Sequence, residues 1–107
     1  PLTDAERMAE VARDMTRQAL DAFVRMDPGM AQKVAMLDDE IDTLYRKALQ
    51  SITERMRQDT SCVTAATYLL WVVHNLERVG DRATNLCERV IFAATGALGD
   101  YKPEKAD

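Results

Sequence analysis

Four acidic residues stand at spacings that permit joint chemistry: Asp38 and Asp42 are four positions apart, and so are Glu77 and Asp81. On a helix that spacing puts each pair on one face, about 40° apart around the axis and roughly 6 Å along it. Carboxylates held together repel until protons or a cation neutralise them. Oxygen donors without thiolate suit hard ions such as Mg, Mn, Ca or ferric iron, whereas a zinc site usually recruits Cys or His. The competing reading is a solvated acidic face whose ion partners are Arg46, Arg78 or Arg82.

Whether the two pairs meet depends on the elements that carry them. Thr3-Asp4-Ala5-Glu6 reads as a capping box opening a first helix that runs to about Met26. Its seam is Met8, Ala12, Met15, Ala19, Ala22 and Met26, in alternating steps of four and three. Asp27-Pro28-Gly29 reads as an N-cap followed by proline at the first helical position. Val34, Leu37, Ile41, Leu44, Ala48 and Ile52 carry the second seam. Asp59-Thr60 offers the next cap, and Leu69, Val72, Leu76, Ala83, Cys87, Val90 and Ala94 continue at helical spacing to a C-cap near Gly96. Short links make neighbouring helices antiparallel. The expected architecture is all-α, an up-down-up three-helix bundle over residues 1–96, followed by a flexible tail at 97–107 that holds Gly99, Pro103 and several charges.

A chain reversal at Asp59-Thr60 has a direct consequence for the acids. Residues equidistant from the turn lie at the same height, and both Asp38 with Asp81 and Asp42 with Glu77 satisfy that condition. On the second helix Asp38 interrupts a column otherwise made of Ala31, Ala35, Tyr45, Leu49 and Met56. On the third, the column beginning Val63, Ala66 and Leu70 turns acidic at Glu77, Asp81 and Glu88, with Asn85 to one side. The carboxylates are therefore expected to reach a shared groove or the surface.

Composition narrows the remaining classes. With 107 residues, only three prolines and four glycines, the chain fits one helical domain better than a turn-rich sandwich or a disordered tract. Fourteen Lys and Arg against 18 Asp and Glu leave a net charge of -4, which gives no attraction to nucleic acid. The longest apolar run, Tyr68 to Val73, is too short to span a bilayer, and no basic leader opens the chain, so a cytoplasmic protein without direct membrane insertion is expected. Cys62 and Cys87 both fall in the expected third helix, roughly 37 Å apart, which makes them free thiols.

Catalysis finds little support. His74 precedes Glu77 by three, but ferritin-like di-iron sites use Glu-x-x-His twice, in the opposite order. His74 reads instead as a boundary residue or an outer hydrogen-bond partner. Ser51 and Ser61 have no companion base, and the scattered glycines form no phosphate-cradling loop. A carboxylate-bridged metal-dependent oxidase or hydrolase is the alternative class, and a ferrous oxidation assay separates it from a non-enzymatic regulator. The methionines at Met8, Met15 and Met26 read as core filling, and Arg7, Arg13 and Arg17 as a flank offset by Asp4, Glu6, Glu10 and Asp14.

The run Leu76-Glu77-Arg78-Val79-Gly80-Asp81-Arg82-Ala83-Thr84-Asn85-Leu86-Cys87-Glu88 resembles the signature of the PhoU family of bacterial phosphate-uptake regulators. So does Met36-Leu37-Asp38-Asp39-Glu40-Ile41-Asp42-Thr43-Leu44-Tyr45 in the preceding helix. The resemblance implies a three-helix repeat and iron or another metal ion held at the acidic motifs, which correspond here to Asp38, Asp42, Glu77 and Asp81. It further implies a negative regulatory link between a phosphate ABC transporter ATPase and a sensor histidine kinase. Family members commonly carry two repeats in tandem, and this single repeat resembles the second. Self-association as a dimer is an expected substitute for the other half, with Leu70 and Trp71 as contact residues or as ordinary packing.

Overall fold

The computed structural model describes residues 2–96. They form α1 (Leu2–Arg25), α2 (Pro28–Gln58), a short 3-10 turn (Thr60–Cys62) and α3 (Val63–Thr95). The expected tail at 97–107 lies outside the described residues. Each helix packs on the other two, giving an antiparallel up-down-up rod with principal extents of 53 × 24 × 17 Å.

Local chemistry explains where each helix stops. At the end of α1 the Asp27 N–H donates to the Ala22 carbonyl at 3.0 Å and the Met26 N–H to the Phe23 carbonyl at 3.2 Å. That pair of bonds is a Schellman closure, and it puts Met26 at φ 51, a conformation glycine usually supplies. Met26 consequently leaves the helix and is exposed rather than continuing the seam as expected. Asp27 then caps α2: its side chain accepts from the Met30 N–H at 3.2 Å, with Pro28 at the first helical position. The expected capping box at Thr3 does not form, because α1 already begins at Leu2 and Thr3 is a helical position.

At the second turn Asp59 ends α2 and caps the 3-10 turn, accepting from the Ser61 N–H at 3.0 Å and hydroxyl at 2.6 Å. These bonds hold its carboxyl below the usual carboxylate range. Cys62 closes that turn just before α3 instead of lying within the helix, and both thiols are free. Gly96 ends α3 in the left-handed region at φ 68, donating to the Phe92 carbonyl at 2.8 Å.

The core runs the length of the rod. Met8, Met15, Val34, Ile41, Ile52, Val73, Cys87 and Val90 are its largest fully enclosed side chains, and alanines at 5, 12, 19 and 22 let α1 lie close to its neighbours. Burial drives the Cys87 thiol up to about 11, with Glu88 adding to the rise, so it stays a protonated packing group. Two seam expectations on α3 are corrected. Val72 and Ala94 are exposed, whereas Val73 and Gly80 are buried. The apolar run from Leu69 to Val73 offers an apolar side chain on every face, so periodicity alone does not choose between Val72 and Val73.

Candidate functional site

The α2–α3 hairpin brings the acidic residues together. Asp38 and Asp42 come from α2, Glu77 and Asp81 from α3, and their charges act on one another across the interface. Asp38, Asp42 and Glu77 are half-buried, while Asp81 is exposed. The matched heights read from the turn position are therefore realised in three dimensions. The arginine alternative is not: among the described residues no ion pair joins Arg46, Arg78 or Arg82 to any of the four carboxylates. The ion pairs among the described residues include Arg7 with Glu10 and Glu40, Arg17 with Asp14, and Arg57 with Glu54.

Electrostatics at the site favour protons in the absence of another neutralising charge. Glu77 is pushed up to about 7, first by burial, then by hydrogen bonding to Asp42 and by the charges of Asp81, Asp42 and Asp38. Burial also raises Asp38, helped by Asp42, Asp81 and Asp39, with the Thr84 hydroxyl pulling the other way. Asp81 is raised by desolvation and by Asp42. The Oδ1 atom of Asp38 is buried without a hydrogen-bond partner. An unpaired buried carboxylate oxygen is costly, and it offers a lone pair to a donor or a cation.

The donor chemistry is of the kind a hard cation takes: carboxylates from two facing helices, no thiolate, and one oxygen already desolvated and unpaired. Among the described residues, however, no group of three or more His, Cys, Asp or Glu side chains is placed to hold a metal ion.

Two partners of the site were only partly legible beforehand. The Tyr45 hydroxyl and His74 Nδ1 lie 3.2 Å apart, a bond from α2 to α3. His74 is exposed, with Tyr45 as its partner, in keeping with the boundary reading. The Thr84 hydroxyl donates to the Gly80 carbonyl at 3.1 Å, next to Asp38 in space. A helical Thr that back-bonds to its own helix carries no sequence signal of a site role. Elsewhere, an apolar groove of about 590 Å³ opens beside α2 and α3, lined in part by Ile52, Cys62, Ala66, Leu69 and Val72. None of the four carboxylates lines it. Beside it Trp71 is exposed and stacks edge-on against Tyr68 with ring centroids 5.8 Å apart, while Leu70 packs against the core.

The family model for the PhoU domain matches residues 5–90, which take in most of α1 and α3, all of α2 and both acidic motifs. The chain belongs to the PhoU family. This PhoU domain is 40% identical over 89 residues to a phosphate-specific transport system accessory protein PhoU homolog of Zymomonas mobilis, covering 83% of the chain and 38% of that protein. It is 35% identical over 102 residues to the homolog of Rhizobium meliloti, covering 95% of the chain and 43% of the relative. The homolog of Clostridium acetobutylicum is 37% identical over 93 residues, 87% of the chain and 42% of the relative. The chain thus spans about two fifths of the length of these curated relatives. No solved structure matches. Among the described residues, no helix is long and apolar enough to cross a membrane.

Proposed function

We propose that this PhoU domain is a non-enzymatic regulatory module of phosphate transport that binds a metal ion at Asp38, Asp42, Glu77 and Asp81. The phosphate assignment is supported by the relatives, which are named as accessory proteins of phosphate-specific transport. The metal assignment is supported by one observation: carboxylates from two helices act on one another across the α2–α3 interface, and Asp38 Oδ1 is buried there without a partner. A bound cation would supply the positive charge that the site otherwise takes from protons. Iron is the ion that the family resemblance suggests, and Mn, Mg and Ca share the preference for oxygen donors. In the same reading the domain works in the cytoplasm, as a dimer or with a second repeat, and couples a phosphate ABC transporter ATPase to a sensor histidine kinase.

The test of the site is elemental analysis after incubation with iron or manganese and exhaustive dialysis. Glu77→Ala combined with Asp81→Ala is expected to lose the retained metal while the helical circular dichroism persists. Unchanged metal content in that variant would refute the assignment. The test of the regulatory role is direct binding of the chain to the purified transporter ATPase, with and without metal. Equal and negligible binding in both states would refute the coupling.

A further inference from the structure

We infer that Gly80 is a positioning residue for the acidic site: its missing side chain lets α3 approach α2 closely enough to bring the two carboxylate pairs within reach of one another. The inference rests on the metal-site reading for its binding consequence, but its geometric content stands apart from any metal.

Gly80 lies between Glu77 and Asp81 on α3 and is buried. Its surroundings come from both other helices. A Cβ placed on it would meet Ile41 Cδ1 at 3.1 Å, Ile41 Cγ2 at 3.4 Å and Met15 Sδ at 3.5 Å. The first distance is tighter than ordinary packing allows, whereas the other two are van der Waals contacts. Ile41 and Met15 are both fully enclosed, so neither has free space into which to retreat. Ile41 is also the neighbour of Asp42 and sits three residues beyond Asp38. A displacement of Ile41 that reaches its backbone would therefore move the stretch of α2 that carries both acids.

Glycine in the middle of a 33-residue helix is otherwise unfavourable, and alanine there would favour the isolated helix. Its φ is not positive, so no backbone conformation requires it. The demand comes from the neighbouring helix alone. Trimming Ile41 to valine removes Cδ1, the atom making the tight contact, and keeps the more distant Cγ2.

The experiment compares wild type, Gly80→Ala, Ile41→Val and the double variant, using manganese titration followed by the electron paramagnetic resonance of free Mn²⁺, together with metal-free crystal structures. Gly80→Ala is expected to weaken Mn²⁺ binding about tenfold, the scale seen when residues that orient ligands are changed. Adding Ile41→Val is expected to recover most of that loss, and Ile41→Val alone to bind within about twofold of wild type. The double variant has the carbon count of the wild-type core, one carbon added at 80 and one removed at 41, so recovery ties the loss to crowding between those two positions. Affinity unchanged in Gly80→Ala, or lost and not recovered in a folded double variant, would overturn the inference. Should the wild type bind no Mn²⁺, the metal reading falls and the structures decide: a wider α2–α3 separation at position 80 in Gly80→Ala supports the positioning role, and an unchanged separation refutes it. Should Gly80→Ala fail to fold, the double variant is judged alone, by its affinity where the wild type binds Mn²⁺ and by its α2–α3 separation where it does not; a wild-type value supports the role and an altered one refutes it.

Discussion

Glu77 of α3 faces Asp42 of α2 across the helix interface, and after burial it is this neighbour that does most to raise the Glu77 carboxyl to about 7. That relationship ties the turn at Asp59 to the chemistry of the site. It also sets the behaviour of the metal-free domain with pH.

The folded-state value for Glu77 is raised from 4.5 to about 7, and Asp38 and Asp81 are raised as well. The native state therefore holds more protons than the unfolded chain between those limits. Their stabilising contribution is fully present below the unfolded values and is lost as pH rises through the folded ones. In metal-free protein the melting temperature is expected to fall between about pH 5 and pH 8, and Glu77→Gln should flatten much of that fall. A melting temperature that rises over the same range would contradict the account.

Metal uptake must displace the same protons. Calorimetric titration of Mn²⁺ near neutrality, repeated in buffers of different ionisation enthalpy, is expected to show net proton release, with affinity increasing through about pH 7. In Glu77→Gln the release should shrink. Binding accompanied by no proton release in the wild type would place the ion elsewhere.

The α1–α2 turn makes a paired prediction of opposite sign. Met26 occupies the left-handed region at φ 51, where an L side chain is strained, so Met26→Gly is expected to stabilise the fold by about 1 kcal/mol. Asp27→Ala removes the side chain that caps α2 and should cost about 1 kcal/mol. Each is read by urea denaturation at constant m-value. Effects of the same sign would show that the turn is held by something other than these two residues.

Met15 is fully enclosed where the three helices meet, beside Gly80 and Ile41. Truncation to alanine leaves a cavity in close-packed surroundings, with an expected loss of about 2–5 kcal/mol. Chemical denaturation measures it directly. A loss below about 1 kcal/mol would mean that the core at this level is loosely packed.

Much of this arrangement was legible in the sequence, for identifiable reasons. Asp27-Pro28 and Asp59 are strong caps, so the two turns could be placed, and placing the second turn fixed the heights of all four acids. The end of α1 was less legible because a methionine occupies the position where glycine usually signals a stop, which made Met26 look like one more seam residue. On α3 the continuous apolar run hid the difference between Val72 and Val73. The contact of Gly80 with Ile41 and the bond between Tyr45 and His74 depend on how two helices are rotated against each other, and a one-dimensional pattern does not carry that rotation. Family likeness supplied the phosphate connection, while spacing and turn position supplied the shared acidic level.

Anomalous scattering from a manganese-soaked crystal tests the central claim most directly. The account predicts a peak between α2 and α3, within coordination distance of carboxylate oxygens from both the Asp38–Asp42 and the Glu77–Asp81 pairs. A peak at carboxylates elsewhere on the rod, or full Mn²⁺ occupancy involving only one of the two helices, would contradict it.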